Sequence, residues 1–509
     1  MKKPITRRDF LKLAGLLPLS VAAPGLDTYL LPSQQAGKSQ NIIIVVFDAF
    51  SAYNMSLYGY PRETTPNLAR LAERAVVYHN HYAGGNSTMP GTASLLTGTH
   101  PWTHRAFGLD KKTVEKSFVS KNIFSAFQNH YRLAYTHNPV ADRILTQFSG
   151  EIEEHIPLEK LFLANDGFIN ALFNNDKDTA SVSWVRAMKR HEEGFAYSLF
   201  LSRWIEKQRE GIISDLRPQY PRGIPHIGAD EYFLLEDAVD WLEEKLGDIL
   251  QPFVGYFHFL PPHRPYLTHR DFQNRFARDG FSPVFKPPDL FKEKATEFIL
   301  RKRTDYDEFI LYLDREFGRF MDKMTELGLL ENTWVILTSD HGEMFERGIL
   351  GHITPVLYQP LVRIPLIIFE PGRKTRTDIY SNTSAVDLLP TLLHVTGQKQ
   401  ASWKEGDVLP PYASNEFNLE RNLYVVQARR NDQYQPLTIA TLVLVKEQYK
   451  LMYFFGYEEL GVGKERVELY DIEKDPEELS DLYSSKRETA DEMLHELKAK
   501  LAEVNTPYL

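Results

Sequence analysis

Three runs of hydrophobic residues, most of them β-branched or aromatic, are followed by polar residues within a few positions. The runs are Asn41–Asp48, Phe253–Phe259 and Thr333–Thr338. Continuous runs of this kind are typical of strands buried on both faces, as in a parallel sheet covered by helices. Ligands of open α/β sheets bind at the carboxyl ends of the strands, so the polar residues after these runs are candidates for a functional site.

Amphipathic helical patterns alternate with these strands. Apolar residues recur at helical spacing in Pro66–Tyr78, Asp305–Leu327 and Asp387–Val395. Thr65 precedes the first of these segments and is a candidate N-cap. A further apolar run, Val362–Phe369, predicts another strand. The alternation of strands and helices predicts an α/β fold.

The pattern changes twice along the chain. Residues 113–250 form a variable, mostly helical region, with helices predicted at Trp184–Glu193 and Glu231–Leu246. After Gly397 come short strands and a closing helix, predicted at Leu423–Gln427, Thr438–Val445, Tyr449–Phe455 and Glu488–Val504. This ending predicts a small antiparallel sheet with a helix packed on it. We therefore expect a catalytic domain at residues 37–397 and a C-terminal subdomain at residues 398–509.

The amino terminus has the pattern of a targeting segment. Thr6-Arg7-Arg8-Asp9-Phe10-Leu11-Lys12 is a twin-arginine pattern, and the apolar run after it, Leu13–Ala23, is shorter than a membrane-spanning helix needs. Residues 1–36 are thus predicted to be a signal and linker recognised by the twin-arginine export machinery. The protein would then reach the periplasm, the cell surface or the medium. An uncleaved signal acting as a membrane tether, or a cytosolic protein with a basic start, are the alternatives.

Composition narrows the chemistry further. The 509 residues include no cysteine, which excludes disulfides, thiolate metal sites and a cysteine nucleophile. A formal net charge of −9 argues against nucleic acid as a partner.

One stretch combines a hydroxyl group with the start of a helix. It runs from Asn86 to Gly98, and Pro90 within it suits the first turn of a helix. Thr88 would lie beside the free N–H groups of that turn, where anions such as a phosphate or an alkoxide are stabilised. A threonine that merely caps a buried helix is the alternative interpretation.

Carboxylates and imidazoles follow the predicted strands. Asp48 ends the first strand, and Asp340-His341 follows the strand that ends at Thr338, a pair that suits a divalent cation. His263 stands between prolines just after another strand and is a candidate ligand or general acid. His104 could reach the same pocket. His258 lies within a strand and is interpreted as a core residue.

Taken together, these segments resemble the sulfatase-like family of the alkaline phosphatase superfamily. The resemblance covers most of residues 41–485. The matching segments are Asn41–Asp48, 64–68, 93–98, 262–266, 339–343, 351–352, 386–391 and 468–471. It implies an α/β sandwich with a central, mostly parallel sheet, plus a smaller C-terminal domain made of an antiparallel sheet and a helix.

The resemblance also implies roles for single residues. It carries binding of a divalent metal ion (Mn, Zn, Ca or Mg) onto Asp48, Asp340, His341 and the nucleophile Thr88. His263 and His352 fall where the family places substrate or leaving-group residues. The substrate would be an ester of a small molecule, a lipid or a carbohydrate.

Three positions depart from the pattern of conventional sulfatases. Thr88 replaces the Cys or Ser that is oxidised to formylglycine, Thr92 replaces an arginine, and Ala49 replaces a second acidic ligand. Threonine cannot yield the formylglycine aldehyde. A threonine at this position resembles instead the arrangement in the phosphodiesterases and phosphoethanolamine transferases, which use an unmodified Thr. We therefore expect a hydrolase or phosphotransferase acting on phosphate or phosphonate esters. A sulfuric ester hydrolase without formylglycine and a non-catalytic, degenerate binding protein are the alternatives.

Overall fold

The computed structural model describes residues 40–108, 113–163, 207, 210–228, 231–292, 294–413, 421–461 and 463–509. The predicted twin-arginine signal and the predicted helix Trp184–Glu193 lie outside these residues, so export by that route stays a prediction. Within them, no helix has both the length and the hydropathy that crossing a membrane requires.

Sixteen strands are present in the described residues. In chain order they are β1 (Asn41–Phe47), β2 (Val76–Tyr78), β3 (His81–Tyr82), β4 (Tyr131–Thr136), β5 (Glu154–His155), β6 (Phe253–Phe259), β7 (Thr333–Thr338), β8 (Phe345–Glu346), β9 (Ile349–Leu350), β10 (Leu366–Phe369), β11 (Thr377–Ile379), β12 (Thr383–Ser384), β13 (Leu423–Gln427), β14 (Ala440–Lys446), β15 (Tyr449–Phe455) and β16 (Glu465–Asp471).

An eight-stranded sheet with the order β11-β2-β10-β7-β1-β6-β4-β5 lies at the centre. Only β10 runs against its neighbours, so the sheet is mainly parallel. The predicted α/β fold class is confirmed.

Helices cover both faces of this sheet. In chain order, the α-helices that lie wholly within the described residues are α1 (Pro66–Ala72), α2 (Thr88–Thr97), α3 (Pro101–His104), α4 (Ile123–Ala126), α5 (Pro139–Gln147), α6 (Leu235–Gly247), α7 (Thr296–Glu326), α8 (Gln359–Val362), α9 (Leu388–Val395) and α10 (Arg487–Asn505). Alternate residues of β1 face opposite cores: Ile43 and Val45 pack with α1, α6 and α7, while Ile42 and Ile44 pack with α2, α5 and α9.

The helix predicted at Asp305–Leu327 begins earlier, at Thr296. Two other predicted elements are shorter than expected. The predicted helix Pro66–Tyr78 ends at Ala72, because Val76–Tyr78 forms a strand that pairs with β10 and β11. The predicted strand Val362–Phe369 begins only at Leu366, since Gln359–Val362 is a helical turn. Both errors lie where tertiary pairing outweighs the local pattern.

The start of α1 is capped by a distant residue. Thr65 holds the N-cap position, but its side chain makes no capping hydrogen bond. The carboxylate of Asp314 on α7 accepts hydrogen bonds from the backbone N–H groups of Asn67 and Leu68, at 2.8 Å each. A carboxylate there satisfies orphan donors and the positive end of the helix dipole.

The C-terminal part is a four-stranded antiparallel sheet with the order β13-β14-β15-β16. Helix α10 packs on one face of it. The edge strand β13 also reaches the central domain, because the N–H of Val426 donates a hydrogen bond to the carbonyl of Gly84 at 3.0 Å. This contact places the C-terminal sheet beside the segment that carries Thr88.

Several buried histidines make the stability of the fold depend on pH, and His81 and His104 are two of them. Burial lowers the pKa of both His81 and His104 from 6.5 to about 3. The folded state therefore binds fewer protons than the unfolded state between those values, and stability present above pH 6.5 is lost as the pH falls. We expect each histidine to contribute a slope of ~1.4 kcal/mol per pH unit to the unfolding free energy between pH 6 and pH 4.

Urea unfolding across this range measures the slope. His81→Asn keeps a polar group near the Thr383 hydroxyl, which the His81 Nδ1 contacts at 2.9 Å. The variant should lose the contribution of one histidine. An unchanged slope would show that His81 is not held neutral.

Candidate active site

Four adjacent parallel strands bring polar side chains to one edge of the sheet. Asp48 follows β1, Asp340 and His341 follow β7, Asn138 follows β4, and His258 is the penultimate residue of β6. All five residues are buried. Because their carboxyl ends lie side by side, the short loops after the strands supply a single site.

Thr88 enters this site from the first turn of α2. Its side chain is 3% exposed, and its Oγ1 lies 3.4 Å from His341 Nε2 and 3.3 Å from Asn138 Nδ2. Ser87, not Thr88, occupies the N-cap position, and no side chain caps the helix there. The alternative of a capping Thr88 is therefore wrong: its hydroxyl contacts the site residues instead.

Each of two neighbouring buried carboxylates has one oxygen without a hydrogen-bond partner among the described residues. Asp48 Oδ2 accepts hydrogen bonds from Asn138 and from His258, the latter at 3.2 Å. Asp340 Oδ1 accepts from the backbone N–H groups of Ala49 at 3.2 Å and His341 at 3.0 Å. The other two oxygens, Asp48 Oδ1 and Asp340 Oδ2, are buried without a hydrogen-bond partner among the described residues. Orphaned buried carboxylate oxygens are the pattern that a bound cation would satisfy.

His341 completes this donor set. Its Nδ1 lies 2.8 Å from the Gly342 carbonyl and donates to it, so Nε2 is the ligand atom of the neutral ring. Nε2 is 3.6 Å from Asp48 Oδ1 and 3.5 Å from Asp340 Oδ2. Two carboxylate oxygens, one imidazole nitrogen and the Thr88 hydroxyl therefore fit a divalent cation of hard to borderline character.

The surroundings of the two carboxyl groups shift their pKa values in opposite directions. Burial alone would raise the pKa of Asp48, but the charge of His263 and the hydrogen bond from His258 hold it well below its usual value. Burial and the charge of Asp48 raise the pKa of Asp340. Burial would lower the pKa of His341, yet the charges of Asp340 and Asp48 outweigh it and raise that pKa. Like charges this close favour a cation between them.

His263 and His352 lie next to this centre. The ring of His352 is 4.2 Å from that of His341 and 5.0 Å from that of His263. Its Nδ1 contacts Glu343 Oε1 at 3.1 Å. Burial and the charge of His341 lower the pKa of His352, whereas burial raises the pKa of Glu343 to about 7. His263 is only partly buried.

The structure thus brings together all six residues that the sequence suggested for the site: Asp48, Thr88, His263, Asp340, His341 and His352. His104 does not join them, because its Nε2 contacts Ser94 at 3.1 Å and its Nδ1 accepts the Ala106 N–H.

Three further residues were missed. His258 is buried as expected of a core residue, but its Nε2 faces Asp48 and its Nδ1 contacts the Tyr256 hydroxyl at 3.1 Å. One possible metal-ligand atom from each of Asp48, His258 and Asp340 lies within 4.8 Å of the other two. Asn138 and Glu343 are the other two residues that were missed. The strand before Asn138 and the helix-starting Pro139 after it were the signal that could have found it.

Gly91 allows α2 to approach the metal-binding segment. A Cβ on this residue would lie 2.1 Å from the backbone oxygen of Asp340. Alanine normally stabilises a helix relative to glycine by roughly 1 kcal/mol. Here we expect Gly91→Ala to lower the unfolding free energy by about 2–4 kcal/mol and to impair the site, since backbone atoms must shift.

Urea unfolding checks this expectation. Gly247→Ala in α6 is the matched control, because, its own turn of helix aside, no atom of the described residues lies within 4 Å of the added Cβ. The control should be neutral or stabilising. Equal effects of the two substitutions would contradict the close approach of α2 to Asp340.

Comparisons with known proteins agree with this fold. The family model described as Sulfatase matches residues 40–398, and the one described as N-sulphoglucosamine sulphohydrolase, C-terminal, matches residues 354–507. The choline-sulfatase of Rhizobium meliloti (strain 1021) is 22% identical over 450 residues, which are 84% of this chain and 79% of that protein.

Two further proteins extend the comparison. The multifunctional alkaline phosphatase superfamily protein PehA of Trinickia caryophylli is 23% identical over 503 residues, covering 87% of this chain and 91% of that protein. The crystal structure of the phosphonate monoester hydrolase of Agrobacterium radiobacter superposes with a TM-score of 0.63 at 19% identity, covering 92% of this chain and 96% of that one. This last likeness shows the fold. The Sulfatase match spans well over half of the sequence, and the chain belongs to the sulfatase family, whose members are ester hydrolases of the alkaline phosphatase superfamily.

Proposed function

We propose that this enzyme hydrolyses phosphate or phosphonate esters with Thr88 as the nucleophile. The observation that carries the proposal is the position of the Thr88 hydroxyl. It lies at the amino end of α2, between Asn138 and His341, and is not used for capping. Threonine cannot form the formylglycine of conventional sulfatases, so the hydroxyl itself must act. The phosphonate monoester hydrolase fold of the Agrobacterium protein is consistent with this reaction class.

A divalent cation held by Asp48, Asp340, His341 and Thr88 would polarise the ester and favour the ionised hydroxyl. The orphaned oxygens of the two carboxylates support this assignment. Asn138 donates to both Thr88 Oγ1 and Asp48, so it fixes the nucleophile relative to the carboxylate. The first turn of α2 adds its free N–H groups and dipole next to the developing negative charge.

The chemistry of the residues follows from these positions. Thr88 Oγ1 loses its proton to solvent water and attacks phosphorus in line, and the bond from phosphorus to the leaving oxygen breaks. We assign to His263 or His352 the delivery of a proton to that leaving oxygen, and the histidine regains its proton from solvent. Water then cleaves the phosphothreonine and restores Thr88. Over the cycle, one ester and one water become one acid and one alcohol; an alcohol in place of the water would make the enzyme a transferase.

Sulfate ester hydrolysis is the second candidate. It is favoured by the Sulfatase family match and by the choline-sulfatase similarity. Such a reaction would need Thr88 to act on sulfur without the aldehyde hydrate. The two candidates share the site and differ only in the ester that is cleaved.

One experiment separates them. The metal-loaded protein is given 4-nitrophenyl phenylphosphonate, bis(4-nitrophenyl) phosphate and 4-nitrophenyl sulfate in parallel, and residues 79–105 are mapped by mass spectrometry after brief incubation. We expect turnover of the phosphorus esters and a phosphoryl-type adduct on Thr88. Turnover of the sulfate alone would establish the second candidate. Turnover without an adduct would point to direct attack by water. If the protein neither binds metal nor turns over any of the three esters, it is a non-catalytic protein.

A further inference from the structure

A cavity of about 420 Å³ opens beside the nucleophile. One wall contains Asn86, Ser87 and His352, and the opposite wall comes from the C-terminal sheet, including Gln427 and Arg429. This volume lies within the range of small-molecule sites. The cavity is therefore large enough for the part of a substrate that lies beyond the ester group.

Cations concentrate on this cavity although the chain as a whole carries a net charge of −9. Lys292, Arg429 and Arg430 all line it and are exposed. Arg430 forms an ion pair with Glu459, another lining residue, at 3.3 Å. Lys292 and Arg429 make no ion pair with any of the residues that the structure describes. Two uncompensated positive charges thus face the same space.

Backbone and side-chain contacts fix this space relative to the nucleophile. The amide of Asn86, two residues before Thr88, donates to the carbonyls of His352 at 2.9 Å and Thr354 at 2.8 Å. On the other side, strand β13 is held to Gly84 by the Val426 N–H, and Arg429 follows three residues later. Arg429 therefore lines the same cavity as Ser87 and His352, which lie next to the reacting centre.

Apolar and aromatic groups form the floor of the cavity. The rings of Phe291 and Tyr457 meet edge to face at 5.5 Å, and the Tyr457 hydroxyl donates to Gln427 at 2.6 Å. These contacts hold the aromatic side of the cavity in place next to Lys292 and Arg429, which line the same space.

We infer that Arg429, together with Lys292, binds a second anionic group of the substrate, so that the preferred ester carries a further phosphate, sulfate or carboxylate on its alcohol part. The inference rests on the proposed function for the first anion, which is the ester group at Thr88. It adds a specificity site to the reaction without changing its chemistry.

Binding of two matched ligands tests this site. The protein used is the full-length, metal-loaded Thr88→Ala variant, in which turnover is blocked, and the probes are fructose 6-phosphate and fructose 1,6-bisphosphate, measured by calorimetry. We expect the bisphosphate to bind at least about 10-fold more tightly, as one charge-assisted contact provides. Arg429→Ala should remove most of this preference, and Lys292→Ala should reduce it about 3-fold. Raising the salt from 0.05 to 0.5 M should weaken it.

Arg430→Ala is the matched control, because Arg430 is exposed in the same cavity but already paired. It should keep the preference for the bisphosphate. Equal affinity for the two probes, or an equal loss in the Arg429 and Arg430 variants, would overturn the inference. The aryl ester assay with wild-type protein reports on the proposed function separately: a bisphosphate preference without ester turnover would support the anion site and refute the hydrolase.

Discussion

Replacing Thr88 by alanine is expected to lower kcat for aryl phosphonate and phosphate esters by at least about 10³-fold, since it removes the nucleophile. The fold should tolerate the change. Among the described residues the hydroxyl makes only two long contacts, at 3.3 Å to Asn138 and 3.4 Å to His341, and such hydrogen bonds contribute about 1 kcal/mol or less. Steady-state kinetics and urea unfolding of the same preparation measure the two effects.

Two neighbouring variants sharpen the result. Thr88→Ser retains a hydroxyl at the same position and should keep measurable turnover and the covalent adduct. Ser87→Ala removes the adjacent hydroxyl, which lies at the N-cap position, and should change kcat by no more than a few fold. An alanine variant at position 88 with full activity would refute the nucleophile, and a loss confined to Ser87→Ala would transfer that role to Ser87.

The strands that carry the site were predictable from sequence. The strands at Phe253–Phe259 and Thr333–Thr338 have the bounds predicted from their apolar runs. A run that is apolar at every position is buried on both faces and therefore belongs to the inside of a parallel sheet. Because such strands end at one edge, the residues after them converge, and this is why Asp48 and Asp340-His341 lie together.

His258 and Asn138 were not predicted as site residues, because their positions in the site depend on strand pairing, which the local pattern does not encode. His258 reaches Asp48 because β6 pairs with β1 in the register that sets Val46 opposite His258. Asn138 reaches the same carboxylate because β4 pairs with the far side of β6. A shift of one residue would turn either side chain to the other face of the sheet. Sequence periodicity gives the faces of a strand but not the register between two strands.

The walls of the substrate cavity illustrate the same limit over a longer range. Arg429 lies more than 300 residues from Thr88 in the chain, and the two come together only because the edge strand β13 docks against Gly84. The cations of the cavity have no periodic signature and stand among many exposed charges. Chemistry at strand ends can be read from short motifs, whereas specificity outside them is set by how the C-terminal sheet packs.

Asp340→Asn is expected to abolish metal-dependent turnover while stabilising the metal-free fold. Asp340 Oδ1 already accepts two backbone hydrogen bonds, from Ala49 and from His341, and an asparagine Oδ1 can keep both. The amide group then replaces Oδ2, which is the orphaned oxygen that faces Asp48. One of two repelling carboxylates is thereby neutralised, and a donor is provided for Asp48 Oδ1.

The sign of the stability change should therefore depend on the cation. In the presence of a chelator, the free energy of unfolding of the variant should be about 1–3 kcal/mol higher than that of the wild type, because burial and the charge of Asp48 disfavour ionised Asp340. With saturating metal the order should reverse, because the wild type gains binding energy that the variant has lost. The kcat of the metal-loaded variant should fall at least about 10³-fold. Urea unfolding with and without chelator, together with the bound metal content, measures each part.

Asp307→Asn provides the matched control. Asp307 is a buried carboxylate outside the site, and it is paired with Arg62 at 2.8 Å and with Asn54 at 2.8 Å. Neutralising it leaves the buried Arg62 less well compensated and should destabilise the protein with or without chelator. If Asp340→Asn behaves like this control, then Asp340 acts as a structural carboxylate and the cation is held elsewhere. If the order of stability reverses on adding metal only at Asp340, the two orphaned oxygens are the metal ligands.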